Sequence, residues 1–271
     1  MWGGERRSVS ISTGKERLMS EENRKAIRIS VRNLVEFVLR SGDIDNRRSG
    51  NAQKDAMLAG GRIHRKIQKR MGSGYRAEVP LKHEVQDEEQ EITLLVEGRA
   101  DGIFTENGIP VIDEIKGMYT DISRLEEPIE VHLAQAMCYG YFYCCDKDLD
   151  GIRLQMTYCN LETEEIKRFQ TDRSREELET WFSGVVHEYF KWARYLYHHE
   201  LTRDASIGHL EFPFPYRAGQ RDLVVSVYRT VSRKKRLFIQ APTGIGKTLS
   251  TVFPAVRAIG EGKGDKLFYL T

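Results

Sequence analysis

The sequence predicts two successive α/β units: a sheet flanked by helices, followed by the opening of a parallel α/β unit. Three observations predict this. Between Tyr75 and Gly117, apolar residues alternate along three stretches joined by short turns, which is the pattern of an antiparallel meander. Apolar residues at helical spacing bracket that meander on both sides. From Phe212 the order becomes helix, strand, glycine-rich turn, helix and the start of another strand, the alternation of a parallel sheet.

The 271 residues suffice for a buried core, and 40% hydrophobic with 30% charged residues is an ordinary globular composition. No apolar run approaches the roughly 18 residues of a membrane span, so no membrane partner is expected. Residues 1–25 are polar, lack the apolar core of a secretory signal and read as a flexible leader, which makes the cytoplasm the expected location. The four cysteines, Cys138, Cys144, Cys145 and Cys159, show no paired CxxC spacing and are expected as reduced thiols. A net charge of +2 does not announce a nucleic-acid partner. Local basic clusters exist at Arg62, Arg65, Lys66, Lys69 and Arg70 and at Arg229 and Arg233 to Arg236, though such clusters are usually solvated faces.

The elements follow in order. In "RISVRNLVEFVLRSGD", Ser30 can cap a helix carrying Val31, Leu34, Val35 and Val38, with Gly42 as its stop. A second helix is expected from Ala52 to Arg70, with Ile63 and Ile67 one turn apart and His64 beside them. The strand from Tyr75 to Val85 alternates, and Pro80 within it marks a sheet edge. "ITLLVEGRADGIF" and "VIDEIKG" continue the meander, "VHLAQAMCYGYFYCC" reads as a helix, and "IRLQMTYCN" pairs with "IKRFQ" through a hairpin. Ser174 and Glu177 form a capping box for a helix reaching about His199. Domains are thereby expected at 26–205 and 212–271, joined by a linker at 206–211, the second being the truncated start of a longer unit.

"APTGIGKT" follows the apolar "RLFIQ" and opens a helix, the context of a Walker A loop. Backbone N–H groups from Thr243 through Gly244 and Gly246 to Lys247 can wrap phosphates, Lys247 can reach the β and γ oxygens, and Thr248 can hold magnesium. Ala241 replaces the usual first glycine, so a negative φ is expected there. With "FPYRAGQRDLV" before it and "LFYLT" after it, residues 212–271 resemble the start of an XPD-like or DinG-like superfamily 2 helicase. That resemblance implies a RecA-like ATP-binding domain in which Arg217 and Gln220 read adenine.

In "VIDEIKG" the period of two puts Glu114 and Lys116 on one strand face and Asp113 on the other. Asp101 can pair across the turn onto a neighbouring position. Carboxylates brought together repel unless a cation separates them, and oxygen ligands favour magnesium. Lys116 would then steady the charge growing on an attacked phosphate. A salt-bridged sheet face is the alternative for the same residues.

Taken together, "GGRIHRKIQ", "VEGRAD", "VIDEIKG" and "HLAQAMCYGYFY" resemble the motif series of the RecB-like PD-(D/E)XK nucleases over roughly residues 28–200. The resemblance implies a restriction-endonuclease-like core, a mixed sheet flanked by helices, and magnesium- or manganese-dependent cleavage of DNA, at single-stranded ends or flaps, in repair or recombination. It implies His64, Asp101, Glu114 and the Ile115 carbonyl as metal ligands and Lys116 as the catalytic lysine. Gln135 and Tyr139 would position that lysine and the DNA strand. Cysteines suited to the iron–sulfur cluster of some relatives are missing, so no cluster is expected in this domain. The alternative is an ATP-dependent helicase whose nuclease-like domain binds DNA without cutting it.

Overall fold

The computed structural model describes residues 24–40, 50–89 and 91–270. The expected leader lies almost wholly outside these residues, and Gly42 lies outside them too. The chain divides into two compact units, 1–192 and 193–271.

The first unit is built on six strands, β1 (Lys25–Ser30), β2 (Arg76–Gln86), β3 (Ile92–Glu106), β4 (Ile109–Met118), β5 (Gly151–Asn160) and β6 (Ile166–Ser174). They form one mixed sheet in the order β1-β3-β4-β5-β6, with β2 also paired to β3. The meander β2-β3-β4 is antiparallel as expected, and β2 pairs with β3 alone, which leaves Pro80 on an edge strand. β1 is a strand that the helical reading of its neighbourhood passed over. Its six residues alternate in burial, but they need β3 as a parallel partner to become a strand.

Helices cover the sheet: α1 (Val31–Val38), α2 (Gly50–Arg70), α3 (Glu130–Lys147) and α4 (Arg175–Gly208). Ser30 caps α1 by accepting the Asn33 N–H at 3.1 Å. The capping box of α4 is formed in both directions, Glu177 N–H to Ser174 Oγ at 3.1 Å and Ser174 N–H to Glu177 Oε2 at 2.8 Å. α4 continues to Gly208, past the end expected near His199 and into the stretch 206–211 read as a linker.

Ile63 and Ile67 of α2 pack with Ile115 and Cys159 on one face of the sheet. α3 packs against β4 and β5, and its Gly140 lets Leu154, Ile152 and Leu178 close in. His83, Tyr141, Phe142 and Phe182 join β2, α3 and α4 in one aromatic cluster, with His83 and Phe142 stacked at 5.4 Å. The four cysteines are free thiols, three of them buried. Among the described residues, no helix is long and apolar enough to cross a membrane.

The second unit contains α5 (Gln220–Ser232) and α6 (Lys247–Gly260), packed on each other. The strands expected at "RLFIQ" and "KLFYLT" are not formed: residues 236–240 and 266–270 carry no strand pairing. Phe238 is 95% exposed and Leu270 91% exposed. A strand exists only through a hydrogen-bonded neighbour, and neither segment has one among the described residues. The parallel sheet that a RecA-like domain requires is therefore not formed among the described residues.

Candidate active site at a fork in the sheet

The 15 residues of β3 serve two partners along one edge. β2 occupies the other edge from Thr93 to Ile103. β1 pairs from Ile92 to Glu97, β4 takes over from Gly102 to Glu106, and Gly98–Asp101 have neither. The β3-β4 ladder stops at the pair Gly102 and Asp113, so Glu114 onward diverges from β3 while staying paired to β5. Glu78, opposite Asp101 on β2, also drops out of its ladder and adopts φ 53°. Asp101 thus stands at a break on both edges.

The fork is held by polar groups in place of ladder bonds. Ile115 donates its N–H to Asp101 Oδ2 at 2.7 Å, and Gln68 Nε2 donates to the Asp101 carbonyl at 2.9 Å. A strand residue turns its N–H and C=O to the same side, so the Ile115 carbonyl also opens toward Asp101. His64, one turn before Gln68 on α2, places Nδ1 3.3 Å from Asp101 Oδ1. Burial lowers the His64 pKa, but its hydrogen bond to Asp101 and the charge of Asp101 outweigh that and the net shift is upward.

Glu114 is 4% exposed. Lys116 Nζ donates to Glu114 Oε1 at 2.7 Å and to Gln135 Oε1 at 2.8 Å, joining β4 to α3. Glu114 Oε2 is buried with no hydrogen-bond partner. Burial drives the Glu114 carboxyl up to about 7, Lys116 pulling it down and Asp101 adding to the rise. Tyr139 is buried one turn after Gln135 and lies against Gly98, where a Cβ would come within 2.6 Å of its hydroxyl. A cavity of about 580 Å³ opens beside it, lined by Ser30, Pro80, Leu81, Lys82, Glu97, Gly98 and Arg99.

The structure therefore brings His64, Asp101, Glu114, Ile115, Lys116 and Gln135 to one place. Tyr139 stands next to that group and not in it. Gln68 was not singled out from sequence, although its position four residues after His64 on one helix face was a usable signal. Asp113 points away as expected and is fully buried. It accepts from Thr157 Oγ1 at 2.6 Å, Gln155 Nε2 at 3.0 Å and the Tyr75 hydroxyl at 2.9 Å. Burial raises the Asp113 pKa, and these three donors hold the rise down.

The chemistry of the residue set suits a divalent cation, although His64, Asp101 and Glu114 do not bring one ligand atom each within 4.8 Å of one another. A buried carboxylate oxygen without a donor, a second carboxylate and an imidazole present hard oxygen and nitrogen ligands. His64 Nδ1 and Asp101 Oδ1, 3.3 Å apart, are bonded to each other, and a cation held by both would take the place of that hydrogen bond.

In the second unit, Gly244 and Gly246 take φ 85° and 80°, and Lys247 begins α6 directly after Gly246. Ala241 is not among the positive-φ residues, in line with its departure from glycine. Gln220 is buried and donates from Nε2 to the Ile245 carbonyl at 2.9 Å, while the Arg217 guanidinium donates to the Gly244 carbonyl. Lys247 Nζ donates to the Ala241 and Pro242 carbonyls at 3.1 and 3.0 Å, and Thr248 Oγ1 lies 3.2 Å from the Tyr269 hydroxyl. Thr243 is exposed at the tip of the loop.

No protein-family model matches the chain. It is 36% identical over 52 residues to the Methanocaldococcus jannaschii protein named "Probable ATP-dependent helicase MJ0942", a match spanning 18% of this chain and only 8% of that protein. Among solved structures, SSO0001 is similar with a TM-score of 0.39 at 18% identity, covering 64% of this chain and 81% of the other. An alkaline exonuclease, LHK-Exo from Laribacter hongkongensis, is similar with a TM-score of 0.35 at 13% identity, covering 63% of this chain and 92% of the other. Likenesses of this extent assign the chain to no family, and the function has to be argued from the residues at the fork.

Proposed function

We propose that the first domain is a magnesium- or manganese-dependent nuclease that hydrolyses phosphodiester bonds in DNA, with single-stranded ends or flaps as its substrates. One observation carries this reading: a buried, partnerless Glu114 oxygen stands among Asp101, His64 and a lysine held by two side chains. A salt-bridged sheet face would need no donor-free buried oxygen and no interruption of the ladder on both edges of Asp101.

His64, Asp101, Glu114 and the Ile115 carbonyl would hold the cation. When bound, it supplies Lewis-acid charge to the phosphate and lowers the pKa of a neighbouring water. The ammonium of Lys116 has three N–H donors, of which Glu114 and Gln135 take two. The third remains for a phosphate oxygen, where the positive charge opposes the negative charge that develops as water adds to phosphorus and the bond to the sugar oxygen breaks. Gln135 keeps the lysine aimed, since its amide oxygen accepts from Nζ and cannot itself be protonated near neutrality. Tyr139 stays protonated through burial, and its hydroxyl, packed against Gly98, would help to position the DNA strand.

ATP is the ligand we propose for the second unit. Arg217 and Gln220 support this by bracing the glycine loop, and so does the short match to a helicase. Lys247 would leave the Ala241 and Pro242 carbonyls to meet phosphate oxygens. The fused whole would belong to an ATP-dependent DNA helicase-nuclease of repair or recombination.

The test is cleavage of end-labelled single- and double-stranded DNA with magnesium or manganese by wild type, Asp101→Ala and Lys116→Ala. Metal-dependent product from wild type alone is the expected result. Binding without cleavage by wild type would move the first domain to the non-catalytic DNA-binding alternative.

A further inference from the structure

We propose that Tyr75 and Asp113 form a strut that sets how far the sheet fork opens, and so fixes the separation of the two carboxylates proposed to hold a divalent cation. The inference rests on the metal-site reading above and assigns it two positioning residues. The polar row lies on the face of β4 opposite Glu114. Gly102, Asp113, Gln155 and Gln170 are direct neighbours across β3, β4, β5 and β6. Gln170 Nε2 donates to Gln155 Oε1 at 2.8 Å, and Gln155 in turn donates to Asp113 at 3.0 Å. At the β3 end the row closes on Tyr75, whose ring stacks on Phe104 at 5.8 Å and fills the space that a side chain at Gly102 would take. Any Cβ at Gly102 would coincide with that phenol ring.

Three features give this arrangement its meaning. The strut spans Gly102 and Asp113, the final pair of the β3-β4 ladder. The next residue on each strand is a proposed ligand, Asp101 on one and Glu114 on the other. Past the strut, the described link between the diverging strands is the single bond from Ile115 N–H to Asp101 Oδ2. Without the Tyr75 bond, that bond would be the described hydrogen bond joining β3 to β4 beyond their ladder, and it uses a ligand carboxylate. A fully buried carboxylate is also a costly way to fill a sheet face, and a satisfied polar network of this type trades stability for a unique alignment.

The experiment uses the full chain and Mn²⁺ alone as the probe, read by titration calorimetry, with melting followed by circular dichroism. Tyr75→Phe keeps the ring over Gly102 and removes only the bond to Asp113. Its Mn²⁺ Kd should rise about tenfold, the usual scale for residues that support metal ligands. The Tyr75→Phe/Asp113→Asn double variant should lose little more than the more affected single variant, because both remove one strut. Ser174→Ala, which weakens the α4 cap far from the fork, should lower the melting temperature and leave the Kd unchanged. Should Tyr75→Phe not fold, Asp113→Asn is read in its place. A Kd within twofold of wild type in the folded variant, whatever its melting temperature, overturns the strut, and so does a wild type that binds no Mn²⁺. A wild type that binds Mn²⁺ and cuts no DNA would defeat the nuclease reading while the Tyr75→Phe titration still decides the strut.

Discussion

The fork of the first unit and the glycine loop of the second each present one lysine among polar groups, yet they are built on opposite principles. Lys116 is 22% exposed at its side chain and is fixed by two other side chains, one of them from a different element. Lys247 is exposed and rests on carbonyls five and six residues before it in its own loop. The fork is a product of long-range packing, in which a carboxylate, an imidazole and an amide arrive from three elements. The loop is a product of local backbone, in which two glycines at positive φ turn the chain before a helix starts. Substitutions at the fork should therefore cost stability and chemistry together, whereas those in the loop should cost ligand binding alone.

The largest effect expected is at Lys116. Lys116→Ala removes the ammonium bonded to the Glu114 carboxylate, and hydrolysis should fall by about 10² to 10³. Breaking a buried pair on one side should also cost about 3 kcal/mol, measured by urea denaturation alongside the labelled-DNA assay. Unchanged stability would show that Glu114 finds another partner and would weaken the contrast with the loop.

Next in size is Gly102→Ala. The added methyl meets the Tyr75 ring, and overpacking of this sort costs about 1–3 kcal/mol. Thermal melting reads it, and a neutral result would mean that Tyr75 does not lie over the strand.

A third, pH-dependent effect concerns His132, which faces the Tyr158 hydroxyl at 3.4 Å. Burial first, then the charges of Lys116 and Arg32, lower its pKa to about 4. A histidine held neutral in the folded chain contributes stability that is complete above its ordinary value of 6.5 and is lost as pH falls toward about 4. In His132→Gln the stability curve between those two values should be flatter by up to one proton, as read from denaturation at a series of pH values. An identical slope would place the acid sensitivity elsewhere.

The smallest effect on folding is expected in the loop. Lys247→Ala should change stability by no more than about 0.5 kcal/mol, as exposed surface substitutions do, while ATP binding followed by calorimetry is lost. A large destabilisation would mean that the lysine's carbonyl bonds hold the unit together, and the two regions would differ less than their geometry indicates.

Much of this was legible in the sequence because it depends on short-range periodicity and caps. The period of two assigned Glu114 and Lys116 to one face and Asp113 to the other, and Ser30, Ser174 and Glu177 marked helix starts that the structure has. The glycines of "APTGIGKT" likewise specify their turn locally. Tertiary structure alone decided that β1 exists, since six residues gain a strand only by pairing with β3. It also decided that residues 236–240 and 266–270 remain unpaired despite their apolar pattern, because a strand is a relation between segments and no partner adjoins them among the described residues. The fork belongs to the same class. Nothing in "VEGRAD" states that β3 changes partners at Asp101, yet the loss of ladder partners there is what leaves the Asp101 carboxylate to take the Ile115 N–H in place of a strand.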